Sequence, residues 1–500
     1  MKAIKLLFAP AMLLALLLQT GCKKDYLDLT PNNTITDENY YRTQDDAIKA
    51  TNAVYSPLQG LYNGAAWQIL DIMSDNADKG GGGANDAQEV FELDQFTLTP
   101  TNPMIATYYG QCYQGIQRAN IVLAKVPAIE SISDDIRSRC LGEAHFLRGF
   151  YYYMLVRLYG GVPLFTAPIS LDESYAIKRS AAADVYATII NDLKQAADLL
   201  PTTRYGGDNR GRVNAWAARG MLASVYLTLG DKENAATQAD LVINSGIYSL
   251  NSRYDDNFDL TKENGIESLF EVQYRNAGQS FSFFGQGNVM NCFMAPRAQN
   301  VVATSGYGFN IPTTEFVAKY ERDATGKIID KRREATMWMP GDKFGDYTQP
   351  ASIEGSPNGY NVRKYFVPIA NTAGDAGGWS CAINANVMRF AEVLLIAAEA
   401  KGAGAGATYI NRVRSRAGLP DLQPGLSEAD YLEAVYKERQ LELGFEMNRW
   451  FDLIRHPGNP AYMVSVMAAQ GKNAQPKHIL MPIPQAERDK NLNLEQNTGY

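Results

Sequence analysis

The chain has 500 residues, of which 46% are hydrophobic and 20% charged, so it is typical of globular proteins and long enough to bury a large core. Its formal net charge of −7 disfavours a nucleic-acid partner and an electrostatic hold on anionic lipid. Tyrosine is common, at 29 residues, whereas histidine is rare, at 3; this favours binding over catalysis because histidine is the most frequent acid–base and metal-binding side chain.

The amino terminus predicts an exported, lipid-anchored protein. Two lysines precede an apolar run at 6–18, which is too short to cross a bilayer and is typical of an export signal. The ending QTGC at Cys22 resembles the lipobox of bacterial lipoproteins, in which cleavage precedes the cysteine and the thiol carries the lipid. We therefore expect a signal peptide at 1–21 and lipidation of Cys22, with the lipid holding the acidic mature chain to the membrane.

The other cysteines are widely spaced and contain no C-x-x-C pair, so the sequence predicts neither a disulfide framework nor a metal site. We interpret them as small buried residues. They are Cys112, Cys140, Cys292 and Cys381.

The chain then runs from a polar tether at 25–43 into a helix at 45–62. The glycine-rich segment 74–89 predicts a loop without regular structure, long enough to be functional or mobile. Its acid and amide groups leave calcium binding open as an alternative, although their spacing lacks the glycine and glutamate of an EF-hand. These groups are Asp75, Asn76, Asp78, Asn85 and Asp86.

Long helical patterns follow, and their pairing predicts a helical scaffold. Small residues and Tyr226 around a Gly-Asp turn at 230–231 look like one tetratricopeptide unit. His145 lies on a helix without a second candidate ligand nearby, so we assign it to the core or to a hydrogen bond. The helical segments are 108–126, 134–159, 182–200, 214–229 and 231–244.

After about residue 250, serine, asparagine, glycine and aromatic residues dominate up to residue 380. Short strands such as Ser268–Gln273 are expected, but most of this region is predicted to be loops. So many long loops indicate a binding surface.

The segment 386–456 predicts two amphipathic helices, the first with an apolar stripe from Val387 to Ala398 and the second continuing to Ile454. Its dense Glu and Arg residues raise the possibility of acid–base catalysis, but an arginine near every carboxylate favours structural salt bridges. The run GAGAGA at 402–407 follows a helix and lacks the Gly-Lys of a phosphate loop, so it predicts a helix connector.

Several motifs in the expected order resemble the SusD/RagB family of outer-membrane lipoproteins. They are the opening Cys22 with DYLD, the helix GEAHFLRGFYYYMLVRLYGGVPL, the segments NVMRFAEVLLIAAEA, INRVRSRAGLP and ERQLELGFEMNRWFDLIRH, and the closing ILMPIPQAERDKNLNLEQNTGY.

The resemblance implies a mainly α fold, with tetratricopeptide-like helix pairs as scaffold and a loop-rich carboxy-terminal half with short strands. It implies a signal peptide at 1–21, a helical region at 22–260 and a SusD/RagB region at 261–500, packed as one body. It also implies a binding protein without cofactor or metal rather than an enzyme. Anchored to the outer membrane and facing the cell exterior, it would bind oligosaccharide and deliver it to a SusC-like TonB-dependent transporter. Some relatives bind peptides instead, and this alternative stays open.

Sugar binding needs flat aromatic faces with polar groups beside them. Trp67, Trp338 and Trp379 adjoin polar or glycine-rich loops, whereas Trp216 and Trp450 lie within helical patterns and are assigned to the core. Further candidates in the loops are Phe284, Tyr307 and Tyr347, with Phe283 and Tyr360 beside them. The identity of the ligand is left open.

Two other classes of function stay open. A glycoside hydrolase needs two carboxylates across an aromatic cleft, and Asp75 and Asp346 lie in suitable loops. A scaffold that binds proteins in its helix-pair grooves would bind no small ligand.

Overall fold

Helices form most of the described chain. The computed structural model describes residues 40–276, 282–302, 306–372 and 379–500, so Cys22 and most of the predicted tether lie outside the described residues. The helices, numbered in chain order, are α1 Gln44–Leu61, α2 Trp67–Leu70, α3 Gln88–Asp94, α4 Pro103–Lys125, α5 Asp134–Tyr159, α6 Leu171–Ser174, α7 Ala182–Leu199, α8 Ala215–Thr228, α9 Lys232–Asn244, α10 Met290–Met294, α11 Thr314–Ala318, α12 Arg333–Thr336, α13 Phe390–Ala405, α14 Ala407–Arg416, α15 Glu428–Glu442, α16 Arg449–Ile454, α17 Ala461–Ala469 and α18 Gln485–Lys490.

Side-chain caps explain where the long helices begin. The Thr43 hydroxyl accepts a hydrogen bond from the amide of Asp46, whose carboxylate accepts one from the Thr43 amide, and this capping box starts α1. Asn102 caps α4 and Ser133 caps α5 in a similar way. These groups satisfy amides that the first helical turn leaves unpaired. The observed bounds of α1 and α5 therefore agree with the predicted ones to within one residue.

The amino-terminal helices pack in pairs, α1 with α4, α5 with α7 and α8 with α9, and each pair packs against the next. The series continues from α9 onto α13 and from α13 onto α15. Gly115 lets α4 and α5 approach closely, because a β-carbon there would overlap the ring of Tyr151. The structure confirms the mainly α fold built on helix pairs.

The described strands are short and pair two by two, always antiparallel. The pairs are β1 Ala77–Gly80 with β3 Phe309–Pro312, β2 Ser268–Val272 with β8 Ala385–Arg389, β4 Met337–Trp338 with β7 Asn361–Val362, and β5 Lys343–Phe344 with β6 Tyr347–Thr348. Strand β1 corrects the prediction that 74–89 lacks regular structure. Its main chain is ordered by pairing with β3, a segment distant in sequence, which local glycine content does not reveal.

The first predicted helix of the segment 386–456 starts later than expected. Residues Ala385–Arg389 form strand β8, so α13 begins only at Phe390. Every residue of β8 is buried, which gives the strand the same continuous apolar appearance as a buried helix. At the other end, Gly402 adopts φ 72° inside α13, so the GAGAGA run acts as a kinked helix connector, as predicted.

The second predicted helix is interrupted at 443–448. Phe445 and Met447 both have φ 62°, a conformation that side chains other than glycine rarely adopt. The Phe445 carbonyl accepts a hydrogen bond from the Tyr365 hydroxyl at 3.0 Å, and the Met447 amide donates to the Asp71 carboxylate at 3.1 Å. Tertiary hydrogen bonds thus replace helical ones in the middle of a helical sequence pattern.

The charges of this segment belong to a buried ionic network rather than to a surface helix. Arg389 on β8 binds Glu442 at 2.9 Å and Glu446 at 2.7 Å. It also binds Glu267, just before β2, at 2.6 Å. The network consists of Glu267, Asp330, Arg332, Lys364, Arg389, Arg414, Arg416, Glu438, Glu442 and Glu446. The structural interpretation of these charges is confirmed, but their partners are distant in sequence rather than one helical turn away.

Glu442 shows why this network is not acid–base machinery. Burial opposes ionisation of its carboxyl, but the guanidinium groups of Arg416 and Arg389 outweigh burial and hold its pKa far below the usual range. A carboxylate fixed in its ionised form cannot exchange a proton near neutral pH. Its role is to bind the segments that contribute the arginines.

One buried apolar cluster contains side chains from both sides of residue 260, among them Val54, Phe270 and Leu394. The predicted domain limits at 21, 22–260 and 261–500 stay a prediction. Among the described helices, none has both the length and the apolar character needed to span a bilayer.

Candidate functional site

Two of the six predicted ligand-binding aromatic residues are in the core. Trp67 and Trp338 are both 0% exposed, so the prediction that their rings contact a ligand directly is wrong for this structure. Trp67 lies at the start of α2, and its indole nitrogen donates to the carbonyl of Asn63 at 2.9 Å. Trp338 lies on strand β4, which pairs with β7. Neighbouring polar loops indicated exposure, but both rings are covered by other parts of the chain.

Two other predicted residues stack on each other at the surface. The rings of Trp379 and Tyr307 lie 5.6 Å apart at an interplanar angle of 18°. The rings of Tyr307 and Phe293 lie 5.4 Å apart at an interplanar angle of 27°. Those of Phe293 and Phe283 lie 5.3 Å apart at 38°. All four rings are partly exposed. We call Phe283, Phe293, Tyr307 and Trp379 the aromatic patch.

The predicted residue Phe284 lies beside the patch rather than in its row of rings. It is 62% exposed, and a β-carbon at Gly60 of α1 would lie only 2.7 Å from its ring. Phe284 thus covers the end of α1 while leaving most of its surface to solvent. A large exposed apolar side chain beside stacked rings extends the surface on which a flat ligand can rest.

Glycines and backbone hydrogen bonds fix Tyr307 in place. Gly306 and Gly308 have φ 64° and 66°, and a β-carbon at Gly306 would overlap the carbonyl oxygen of Pro296. The Tyr307 amide donates to the carbonyl of Cys292 at 2.9 Å. The Cys292 thiol in turn lies 3.4 Å from the carbonyl oxygen of Trp379. Cys292 of α10 thus contacts the backbones of both Tyr307 and Trp379.

Buried rings support the patch from below. Trp67 lies 6.0 Å from Phe293, and Phe309 of β3 lies 5.8 Å from it. Trp67 therefore contributes to the site as a support, not as a contact. Phe293 was missed by sequence reasoning; the aromatic-rich run around it was noted, but no local pattern distinguishes this phenylalanine from its neighbours.

Polar side chains flank Tyr307. Arg297 donates to the Tyr307 carbonyl at 3.0 Å and binds Asp86 at 3.1 Å, and Glu354 lies 3.5 Å from its Nε. The guanidinium lies against Gly82, where a β-carbon would be 2.7 Å away. Arg297 thereby connects the glycine run to the patch. Partly exposed guanidinium and carboxylate groups beside flat rings are suited to bind hydroxyl groups of a sugar.

Tyr347 lies away from the aromatic patch, on the β5–β6 hairpin. Its hydroxyl donates to Gln349 at 2.6 Å, and its ring meets Trp338 edge-on at 5.9 Å. Tyr360 is partly buried against the core. The structure therefore brings together Tyr307 and Trp379, with Phe284 adjacent, but not Tyr347.

The carboxylates considered for calcium or for hydrolysis face cations instead. Arg449 lies 2.6 Å from Asp75; burial opposes ionisation of Asp75, but Arg449 holds its pKa below the usual value. Lys472 lies 3.5 Å from Asp78. Over the described ranges, no three histidine, cysteine, aspartate or glutamate side chains are grouped to hold a metal ion. These pairings contradict the calcium alternative at 74–89.

Asp75 is also poorly placed for glycoside hydrolysis. It is 2% exposed and both of its oxygens accept hydrogen bonds from Arg449. Asp346 lies exposed in the turn between β5 and β6. A general acid needs a raised pKa and access to the glycosidic oxygen, and Asp75 has neither.

Comparisons with known proteins identify the family of this chain. Two family models match the chain, one described as "SusD family" over residues 266–500 and one described as "Starch-binding associating with outer membrane" over residues 25–227. This chain belongs to the SusD family. The recognition from sequence motifs is confirmed.

Individual SusD-family relatives match over nearly the whole chain. SusD-like protein P2 of Formosa agariphila is 29% identical, with 100% of both chains covered. A solved laminarin-binding SusD-like protein is 28% identical with a TM-score of 0.80, covering 92% of this chain and 100% of its own. Surface glycan-binding protein A from Bacteroides thetaiotaomicron, solved with laminarihexaose, is 26% identical with a TM-score of 0.77, covering 91% and 99%. The two solved relatives are named as binding proteins.

Proposed function

We propose that this protein binds an oligosaccharide on the aromatic patch, at the cell surface. The observation that carries the proposal is the row of partly exposed rings from Phe283 to Trp379, flanked by Arg297 and Asp86. Ring faces bind the apolar faces of pyranose units, and the flanking charges accept and donate hydrogen bonds to hydroxyl groups. The glycan ligands in the names of two relatives support the same class of ligand.

The same arrangement favours binding over catalysis. The patch offers flat surfaces, while Asp86, a carboxylate beside it, is paired with Arg297. Retention without cleavage fits a protein that passes its ligand on. We propose that the recipient is a SusC-like TonB-dependent transporter, and that a lipid on Cys22 anchors the protein to the outer membrane, facing outward.

Calorimetry with a panel of neutral and acidic oligosaccharides, including laminarihexaose, tests the binding proposal. We expect one class to bind, and Trp379→Ala and Tyr307→Ala to weaken that binding about tenfold or more, because each truncation removes a stacked ring. Trp216→Ala and Tyr175→Ala are matched controls, since both residues are partly exposed outside the patch. Their affinity should equal that of the wild type.

Three results would contradict the proposal. Binding of peptides but of no glycan would select the peptide alternative, and release of shortened sugars from a bound glycan would indicate a hydrolase. Equal affinity of the patch variants and the controls would move the site elsewhere.

Two further experiments test the anchor and the partner. Cys22→Ala is expected to move the protein from the membrane fraction to the soluble fraction and to abolish incorporation of labelled fatty acid. Affinity purification of the wild type from detergent-solubilised outer membranes is expected to recover a TonB-dependent barrel. Recovery without any barrel would contradict the partnership while leaving glycan binding intact.

A further inference from the structure

A second cavity lies next to the aromatic patch. It has a volume of about 780 Å³ and lies between the segment Tyr254–Phe258, helix α12, the β5–β6 hairpin and residues 363–368. We call it the cationic pocket, and the side chains that define it here are Tyr254, Phe258, Lys331, Phe344, Arg363 and Phe366.

The guanidinium of Arg363 lines this pocket, and the carboxylates that act on it, Asp342, Glu334 and Asp255, do so without a direct ion pair. Its guanidinium carbon lies 4.2 Å from the centre of the Trp338 ring, which holds it by a cation–π contact. Within the described parts of the chain, no side chain forms an ion pair or hydrogen bond with that guanidinium. Burial lowers the pKa of Arg363, which fits a partly desolvated charge. Its donors are therefore available to a ligand.

Most other charges of the pocket lining form ion pairs. Each lining carboxylate has a cation within reach: Asp255 has Arg253, Asp259 has Lys262 at 4.0 Å, and Glu334 has Arg333 at 3.8 Å. Lys262 and Arg333 are shared, since Lys262 also binds Asp256 at 2.6 Å and Arg333 also binds Asp342 at 2.5 Å. Lys331, in contrast, packs its methylene chain against Gly418 and has no carboxylate partner among the described residues. Arg363 and Lys331 are thus two cations that face the same cavity without partners.

Phe366 forms the wall between the two sites. On the pocket side its ring meets Phe344 at 5.0 Å and Trp338 at 5.2 Å, in both cases edge-on. On the other side it packs against the small apolar cluster that also supports Tyr307 and Trp379. Phe366 therefore lines the pocket and also packs against the cluster beneath the patch.

We propose that the cationic pocket binds the carboxylate or sulfate group of an acidic sugar residue, while a neighbouring residue of the same oligosaccharide stacks on the aromatic patch. A planar guanidinium binds both groups through two parallel hydrogen bonds, and Lys331 adds a second charge. This inference rests on the proposed glycan binding and narrows its substrate class to acidic glycans. A free sulfate or carboxylate ion could bind the same groups, so the experiment distinguishes a free anion from an acidic sugar residue.

Calorimetry with paired probes tests the inference. Each probe is an acidic oligosaccharide and its neutral counterpart: oligogalacturonate with its methyl ester, oligoalginate with its methyl ester, and a sulfated galactan oligomer with the desulfated form. We expect at least one acidic member to bind about tenfold more tightly than its counterpart, and Arg363→Gln to abolish the difference. Arg412→Gln is the matched control, because that guanidinium also lies over a ring, Phe390, at 5.5 Å, but outside the pocket.

The results distinguish this inference from the function on which it rests. Equal binding of acidic and neutral members, with Arg363→Gln unchanged and Trp379→Ala weakened, would overturn the acidic subsite and leave glycan binding standing. Binding of free sulfate or monomeric galacturonate with the same affinity as the oligomers would reduce the pocket to a simple anion site. Loss of all glycan binding in the wild type would overturn both.

A second variant and a salt titration test the role of Arg363 even if Arg363→Gln fails to fold. Arg363→Lys keeps the charge over Trp338 but removes the planar pair of donors, so it should lose most of the acidic preference with unchanged circular dichroism. The preference of the wild type should also fall as salt is raised, whereas the affinity for a neutral oligomer should not. A preference insensitive to both changes would contradict the role of Arg363.

Discussion

Arg389 and Trp379 come from neighbouring parts of the sequence but lie in opposite environments. Arg389 is 1% exposed and surrounded by Glu267, Glu442 and Glu446, whereas Trp379 is partly exposed and stacks on Tyr307 at the surface. The buried ionic network holds distant segments together with charges. The aromatic patch presents apolar faces to solvent. The network of charges therefore serves structure, and binding is what we propose for the apolar rings.

This inversion follows from what each environment does to a group. A buried carboxylate beside several arginines is fixed in one ionisation state and one position, which suits a cross-link but not a proton carrier. The exposed apolar surface of a partly exposed ring is removed from water only when a ligand covers it. Its hydrophobic free energy therefore contributes to binding rather than to folding. Changes in the network should therefore affect folding, and changes in the patch should affect binding.

Arg389→Met should give the largest effect on stability. The substitution leaves Glu267, Glu442 and Glu446 buried with too few cations, so we expect the free energy of unfolding to fall by about 3–5 kcal/mol. Denaturant titration followed by circular dichroism measures the change. Arg253→Met is the control, because that arginine and its partner Asp255 are exposed, and no measurable change is expected. A small effect at Arg389 would break the comparison.

Asp71 should make stability depend on pH. Burial raises its pKa to about 7, well above the ordinary range of an aspartate, so the folded state favours the neutral carboxyl. Its contribution is fully present below about pH 4 and is lost as pH rises through 7. We expect a loss of roughly 2–4 kcal/mol over that window, measured by urea titration at several pH values.

Asp71→Asn should remove this part of the pH dependence. The side-chain oxygen of the new asparagine can still accept a hydrogen bond from the Met447 backbone amide. Its side-chain nitrogen can donate to the side-chain oxygen of Asn310 if the Asn310 amide group rotates. That oxygen is buried and has no partner among the described residues. The difference between wild type and variant isolates Asp71 from other titrating groups. A difference that is constant from pH 4 to pH 8 would show that Asp71 stays ionised.

Gly306→Ala should damage the patch from its backbone. The residue has φ 64° and a β-carbon would meet Pro296, so we expect a loss of about 1–3 kcal/mol in unfolding free energy together with weaker glycan binding. Gly326→Ala is the control: it has φ 86° but open space where a β-carbon would lie, so it meets no residue of the patch. Equal affinity in both variants would mean that the position of Tyr307 does not matter for binding.

Trp379→Ala should have the smallest effect on stability and a large effect on affinity. Because the ring is partly exposed, its removal should lower the free energy of unfolding by about 1 kcal/mol or less. Trp450→Ala, at a fully buried indole, should lower it by about 3–5 kcal/mol. Similar losses in the two variants would show that Trp379 belongs to the core, and would break the comparison between patch and network.

The sequence predicted the elements whose signals are local. The caps Thr43 and Ser133 mark the starts of α1 and α5, and the stripes between them specify helices. Strand β8 was missed because all of its residues are buried, so it shows no alternation. The break at Phe445 and Met447 was missed because its cause is a set of hydrogen bonds to Asp71 and Tyr365, far away in the sequence.

The site was predicted only in part for a similar reason. Polar loops next to tryptophans identified Trp379 correctly as partly exposed, but the same signal failed at Trp67 and Trp338, whose rings are covered by other segments. Phe293 and Arg363 had no local signal at all. Which side of a loop faces solvent is decided by packing between segments distant in sequence, and a single sequence does not contain that information in a local pattern.

A crystal structure with an oligosaccharide identified by calorimetry tests the central claim most directly. The account predicts sugar rings lying across Tyr307 and Trp379, with heavy atoms within about 4.5 Å of both, and no sugar atom in contact with the buried ionic network. A sugar bound in a groove between helix pairs, or beside the segment 428–456, with the patch uncovered, would contradict the claim that the aromatic patch is the functional site.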